Sequence, residues 1–287
     1  MGGRERMNPI PDELLKPLIL RSLEEDLAQG GDLTTLATID PKTEAMATLN
    51  ARSEGCAAGV GVAVLVFRMV DPTLEVTARA TDGDPFAAGA TLLEARGSAA
   101  SLLTAERTAL NILSHMCGIA ALTADYVGRV QGTKARIAAT RKTLPGLRLV
   151  QKHAVRCGGG MTHRMSLTDA VMIKDNHIAA AGSIAQAIAK ARAFAGHTVK
   201  IEVEVDTLDQ LATALEAKPD IILLDNMTAD TLREAVTITK GRCVLEASGG
   251  VNLDTVRTIA ATGVDVISVG ALTHSATALD IGMELVA

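Results

Sequence analysis

The sequence predicts an α/β protein in two parts. An α+β block is followed by a parallel sheet with crossover helices that closes, or nearly closes, into a barrel. Three observations carry this prediction. Up to residue 100, short strands and strong turn signals follow one another with few helices. From Ala135 onward, β-rich runs alternate with helical stretches, βα repeated about six times. No Gly-x-Gly-x-x-Gly follows a first strand, which disfavours an open nucleotide-binding sheet.

Residues 1–8 read as a loose tail. From Pro11 to Gln29 apolar residues recur at helical spacing (Leu14, Leu15, Leu18, Ile19, Leu23, Leu27) and stop at Gly30-Gly31. Asp32 to Thr35 reads as a turn or cap, and Thr43 to Arg52 alternates as a strand. Gly55, Gly59 and Gly61 lead into a short apolar helix ending near Met69. Asp71-Pro72 is a turn. Strands at Leu74 to Ala80 and Thr91 to Arg96 flank the turn Asp82-Gly83-Asp84-Pro85. Ser101 to Gln131 sustains the helical period, with Gly118 and Ala120-Ala121 small enough for close helix contact. Arg107, on this helix, reads as a surface residue paired with Glu106 or Glu94.

The barrel strands are expected at Ala135–Ala139, Ala170–Ile173, Val199–Val205, Ile221–Leu224, Cys243–Ala247 and Val264–Val269. Helices fit between them at Pro145–Cys157, Ser183–Ala195, Leu208–Ala217, Ala229–Thr239 and Leu253–Thr262.

Composition narrows the function. With 48% hydrophobic and 21% charged residues the chain is globular. It has no Trp, one Tyr and three Phe, so it lacks aromatic platforms for stacking nucleic-acid bases. A net charge of −5 likewise disfavours nucleic-acid and anionic-membrane partners. The four cysteines are far apart in sequence, without CxxC; reduced cytosolic thiols are expected, not a structural zinc site. The N-terminus has no apolar signal-peptide core and no run is long enough to span a bilayer, so the expected location is the cytoplasm.

Within this acidic chain, Lys134 to His177 is a basic island: nine of the 28 Lys and Arg lie there, against only Asp169 and Asp175. Together with its glycines and turn residues, it suits a pocket for a small polyanion, or a solvated basic loop. Polar residues also fall at successive strand ends, where barrel enzymes place their chemistry. They are Thr140, Arg141 and Lys142; Lys174 to His177; Glu202, Glu204 and Asp206; Asp225 and Asn226; Glu246, Ser248, Gly249 and Gly250; then Gly270 and His274. An acid at any single strand end could equally cap the next helix. Ser248-Gly249-Gly250 and Gly270-Ala271 can cradle a phosphate with backbone N–H groups, or form tight turns. Glu204 and Asp225 can hold Mg²⁺ or ribose hydroxyls, or balance Lys174 and the arginines.

The run TRKTLPGLRLVQKHAVRCGGGMTHRMSLTDAVMIKDNH resembles the signature of the quinolinate phosphoribosyltransferase family. The resemblance covers almost the whole chain through ERTALNILSHMCGIA, EVEVDTL, ILLDNM, LEASGGV and VGALTHSATALDIGME. It implies a sandwich-like N-terminal α+β domain over 9–113, with the tail 276–287 packed on it. An incomplete α/β barrel over 114–275 would follow. It further implies transfer of a phosphoribosyl group from phosphoribosyl pyrophosphate to quinolinate with decarboxylation, Mg²⁺ as cofactor, and a homodimer, open to further assembly, that shares its active site. Carried to matching positions, Arg107 would come from the partner subunit. Arg141, His163, Arg164 and Lys174 would hold the pyridine dicarboxylate, and Lys142 the pyrophosphate. Glu204 and Asp225 would face ribose and metal; Ser248, Gly249, Gly250, Gly270 and His274 would take the 5-phosphate. Lys142, Glu204 and Asp225 would be the catalytic set.

Overall fold

The structure is a computed structural model and describes residues 8–286; most of the expected tail, residues 1–8, lies outside them. The chain begins with helix α1 (Asp12–Leu27), its first turn carrying Asp12 and Glu13 as the helix dipole favours. Asp32 then caps a short helix α2 (Leu33–Thr38), accepting the Thr35 N–H at 3.0 Å. The cap was expected but the helix was not. Its two leucines, Leu33 and Leu36, are exposed, so it has no apolar face to reveal it.

Strands β1 (Glu44–Ala51) and β2 (Gly55–Cys56) lead to helix α3 (Val60–Val70), then β3 (Glu75–Ala78), β4 (Pro85–Phe86) and β5 (Thr91–Ser98). The long helix α4 (Ala99–Arg129) follows. Next come β6 (Arg136–Ala138), α5 (Arg148–Cys157), β7 (Val171–Ile173), α6 (Asp175–Ala181) and α7 (Ile184–Phe194). Then β8 (Ile201–Val205), α8 (Leu208–Glu216), β9 (Ile221–Asp225) and α9 (Ala229–Thr239) alternate. The last elements are β10 (Val244–Ser248), α10 (Val256–Ala260), β11 (Val266–Ser268), α11 (Ala271–His274) and β12 (Ile281–Val286).

Two compact units emerge. Among the described residues the first comprises 8–124, 144–159 and 275–286, the second 125–143 and 160–274. In the first, an antiparallel sheet runs β12-β1-β5-β3, with Leu49 opposite Leu93 and Ala47 opposite Ala95. These four residues are buried, alternating along their strands as one core face requires. Helix α3, with Phe67 fully buried, packs on β3 and β5. Gly118 on α4 is required by contact: a Cβ there would lie 2.0 Å from the Thr277 carbonyl oxygen. The close approach predicted at this glycine is to the backbone of the C-terminal segment.

Helix α5 departs from the expected barrel helix at Pro145–Cys157. It starts later, at Arg148, and it clusters with the first unit. The reason is burial on nearly all sides: Val150, Gln151, Lys152, His153, Ala154, Val155 and Cys157 are all buried. Lys152 is therefore not a pocket cation. His153 Nε2 meets Asp82 Oδ2 at 2.7 Å, and Asp82 also accepts the Val60 N–H at 3.0 Å. Cys56, Cys117 and Cys157 are buried thiols, and burial pushes Cys117 up to about 12.

In the second unit six parallel strands run β6-β11-β10-β9-β8-β7. Consecutive strands are neighbours, except that the first lies beside the last. This is the order of a closed barrel cut once, between β6 and β7. Met161 supplies one parallel rung on the free side of β6, its N–H donating to the Ile137 carbonyl at 2.8 Å. Helices α7 and α8 pack on β8, over buried outward residues Val203 and Val205. Helices α7, α8 and α9 start on capping hydroxyls from Ser183, Thr207 and Thr228.

Candidate active site

Because the caps of α8 and α9 are threonines, the acids just before them are left for another use. Strand periodicity then sorts the polar residues. Met172 and Lys174, Glu202 and Glu204, Leu223 and Asp225, Glu246 and Ser248 are i, i+2 pairs and share the inward face. The register places Glu204 beside Leu223 and Leu223 beside Glu246, with Asp225 beside Ser248. All lie at or next to the carboxyl ends of their strands, the face on which barrel chemistry is built.

A cavity of about 390 Å³ opens there. Arg141, Lys142, His163, Arg164 and Lys174 line it, with Glu204, Asp225 and Ser248 opposite. Thr140, Met172, Leu223 and Glu246 complete the wall. A second cavity of about 200 Å³ shares Thr140, Lys142 and Ser248 with the first, and adds Gly249, Gly250, Gly270 and His274. Twelve of the thirteen residues predicted for the site thus surround two adjoining cavities. The thirteenth, Arg107, is an exposed residue of α4 in the first unit. Its suggested surface partner Glu94 is taken by Arg79 at 2.5 Å.

The larger cavity is cationic on one side. Arg141 carries a buried Nε without a hydrogen-bond partner. Arg164 donates to the Ala170 carbonyl at 3.5 Å and to Met172 Sδ at 3.1 Å. Burial, then the nearby charge of Arg141, lowers the Arg164 pKa from its usual value. Lys174 Nζ is hydrogen-bonded to Glu204 Oε2. His177 accepts the Lys174 backbone N–H on Nδ1 at 3.0 Å, so it secures the start of α6.

His163 sits deepest among the cations. Its backbone is left-handed, with φ 52°. Nδ1 accepts the Arg164 N–H at 2.7 Å, while Nε2 faces Glu246 Oε1 at 3.4 Å and Glu202 Oε2 at 3.5 Å. Burial depresses its pKa, but the two carboxyl groups outweigh burial and raise it to about 9. A second proton on Nδ1 would open the Arg164 bond. One such bond is worth about 1 kcal/mol, less than the pull of two buried acids, so the upward direction stands. Glu202 moves up as well, first through burial and then through Glu246 beside it. Glu246 and Glu202 were read from sequence as strand-end acids but were not assigned to the site. The i−2 spacing of each from Ser248 and Glu204 was the signal.

The smaller cavity owes part of its wall to glycine backbone. Gly249 (φ 89°) and Gly250 (φ 62°) are both left-handed. A Cβ on Gly249 would lie 2.1 Å from Asn226 Oδ1. Asn226, itself at φ 53°, donates through Nδ2 to Asp225 Oδ2 at 2.7 Å, fixing that acid. Glu204 and Asp225 offer hard oxygen donors, the set that suits Mg²⁺. The basic island as a whole is not one surface: Lys134 pairs with Asp265 at 2.7 Å, and only Arg141, Lys142, Arg164 and Lys174 among its Lys and Arg line the larger cavity.

The chain is similar to known proteins over almost its whole length. The profile of the quinolinate phosphoribosyl transferase C-terminal domain matches residues 119–284, and that of the N-terminal domain residues 32–117. The nicotinate-nucleotide pyrophosphorylase [carboxylating] of Mycobacterium leprae is 47% identical over 272 residues, 93% of this chain and 95% of that protein. The probable enzyme of the same name from Bacillus subtilis is 42% identical over 271 residues, covering 94% and 93%. The crystal structure of NadC from Streptococcus pyogenes superposes with a TM-score of 0.94 at 40% identity, over 98% of this chain and 99% of that one. With both domains matched in order and the fold shared from end to end, the chain belongs to the quinolinate phosphoribosyl transferase family.

Proposed function

We propose that this chain transfers a phosphoribosyl group from phosphoribosyl pyrophosphate to quinolinate and releases CO₂, giving nicotinate mononucleotide and pyrophosphate. The observation that carries the reading is the pair of adjoining cavities: one gathers five cationic side chains, the other presents left-handed glycines. The substrates together bring two carboxylates, a phosphate and a pyrophosphate, and an acidic exterior confines their attraction to this mouth. Relatives named nicotinate-nucleotide pyrophosphorylase [carboxylating] support the same reaction.

In this reading Arg141, His163, Arg164 and Lys174 orient the pyridine dicarboxylate. Lys142, shared by both cavities, meets the pyrophosphate. Ser248, Gly249, Gly250, Gly270 and His274 take the 5-phosphate. As pyrophosphate leaves the anomeric carbon, positive charge builds on the ribose, and Glu204 and Asp225 stabilise it. Mg²⁺ would be held by the same two acids and would neutralise the leaving group's charge. Ribosylation makes the ring nitrogen cationic, which stabilises the electron pair that departing CO₂ leaves on the adjacent carbon until a proton takes its place. Transfer therefore precedes decarboxylation.

We also propose a homodimer in which the partner subunit's Arg107 completes the site, and a cytoplasmic location. The test is one assay. Purified protein with both substrates and Mg²⁺ should form CO₂ and nicotinate mononucleotide in equal amounts. CO₂ release from quinolinate without the ribosyl donor would reverse the order, and no nucleotide at all would end the reading.

A further inference from the structure

The reading above leaves Glu202 and Glu246 without a role. They stand on β8 and β10, either side of β9, and are 1% and 3% exposed. Burying two carboxyl groups side by side is unfavourable unless donors satisfy them. Here donors are short: Glu202 Oε1 has no hydrogen-bond partner, and Glu246 Oε1 has only its long contact to His163. What the two groups share is the Nε2 atom of His163, at 3.5 and 3.4 Å.

We propose that Glu202 and Glu246 are positioning residues: they hold the His163 imidazole at one depth and one angle in the cavity wall, and through it set how tightly the pyridine dicarboxylate is gripped. The inference rests on the proposed function for its substrate. Its geometry does not. His163 and Arg164 belong to the segment between β6 and β7, where the strand order is interrupted. A side chain on that segment needs an anchor, and the two acids anchor it to the strands. The same acids keep an anionic wall behind the cation, so an incoming carboxylate is held at the ring and stops short of the barrel interior. Among the described residues these three groups could also approach one metal ion, since their ligand atoms lie within 4.8 Å of one another.

The test is a set of Glu202→Gln, Glu246→Gln and His163→Asn variants, alone and combined. Each Gln variant should raise KM for quinolinate roughly tenfold, while KM for the ribosyl donor moves by less than about twofold. In the His163→Asn background the Gln substitutions should have no further effect. Above about pH 9, where the ring has lost its charge, melting temperature should hold or rise, because a neutral amide replaces an underserved acid. A purely structural pair would instead lower the melting temperature and move both KM values, and an undiminished effect without His163 would overturn the proposal. Should either Gln variant fail to fold, Glu202→Asp and Glu246→Asp retract the same groups and should raise the same KM. The ¹⁵N imidazole spectrum of the ligand-free protein separates this inference from the function. If His163 signals shift in the Gln variants but no nucleotide forms, the reaction is wrong and the positioning stands. If the nucleotide forms and those signals are unmoved, the positioning alone fails. One equivalent of divalent metal in the purified protein, lost in Glu202→Gln, would assign the cluster to a cation and overturn the proposal.

Discussion

Arg141 has a buried Nε with nothing to bond, which is costly unless a ligand completes it. Arg141→Lys should therefore not be tolerated as a conservative change. Losing the planar fork should reduce kcat/KM for quinolinate on the order of a hundredfold, read by steady-state kinetics with each substrate varied. Lys142→Ala should cost a similar factor, but through the ribosyl donor. His163 also predicts a pH dependence of stability. Its pKa rises on folding, from an ordinary 6.5 to about 9. The stabilisation is fully present below 6.5 and is lost as pH climbs through 9. Melting temperature should fall across that window in the native protein, and less so in His163→Asn. These residues were legible in the sequence because charge, glycine and strand ends coincided in one short stretch. The buried acids behind His163 were harder to place. A glutamate inside an otherwise apolar strand shows its inward direction only once the register is known.

At the scale of elements, Gly249 closes β10 under two constraints, a positive φ of 89° and the side chain of Asn226 at contact. Gly249→Ala should destabilise by about 1–3 kcal/mol and weaken the 5-phosphate contact, seen as a lower melting temperature together with a raised KM for the ribosyl donor. Gly118→Ala should cost a comparable amount, about 1–3 kcal/mol, by pushing the Thr277 carbonyl away from α4. Calorimetric melting reads the loss, and an unchanged KM for the ribosyl donor distinguishes it from Gly249→Ala, since Gly118 lines neither cavity. The longer barrel elements could be read from periodicity because each βα unit spans enough residues to show its rhythm. Helix α2, six residues long, and the two-residue strands β2 and β4 could not. Helix α5 was recognisable as a helix, but its place was not. Its mostly buried surface suits either unit, and only the folded contacts decide between them.

For the whole molecule, the proposed shared site makes a prediction that no single residue does. Arg107→Ala and Lys142→Ala dimers should each be inactive. Mixed and re-equilibrated, half the dimers become hybrids with one intact site of two, so about a quarter of native activity should return. Hybrids shown to form without recovery would remove Arg107 from the site. The break in strand order between β6 and β7 has a different consequence. Within residues 165–169, Asp169 accepts the Met165 N–H at 2.6 Å and the Ser166 hydroxyl at 3.0 Å. His163 and Arg164, two of the four residues proposed to grip the acid substrate, lie beside this loop at the seam, whereas the acids proposed to face the sugar stand on a continuous run of strands. Exchanging residues 162–169 for those of a distant relative should retune which aromatic acid is accepted and leave the donor's handling as it was.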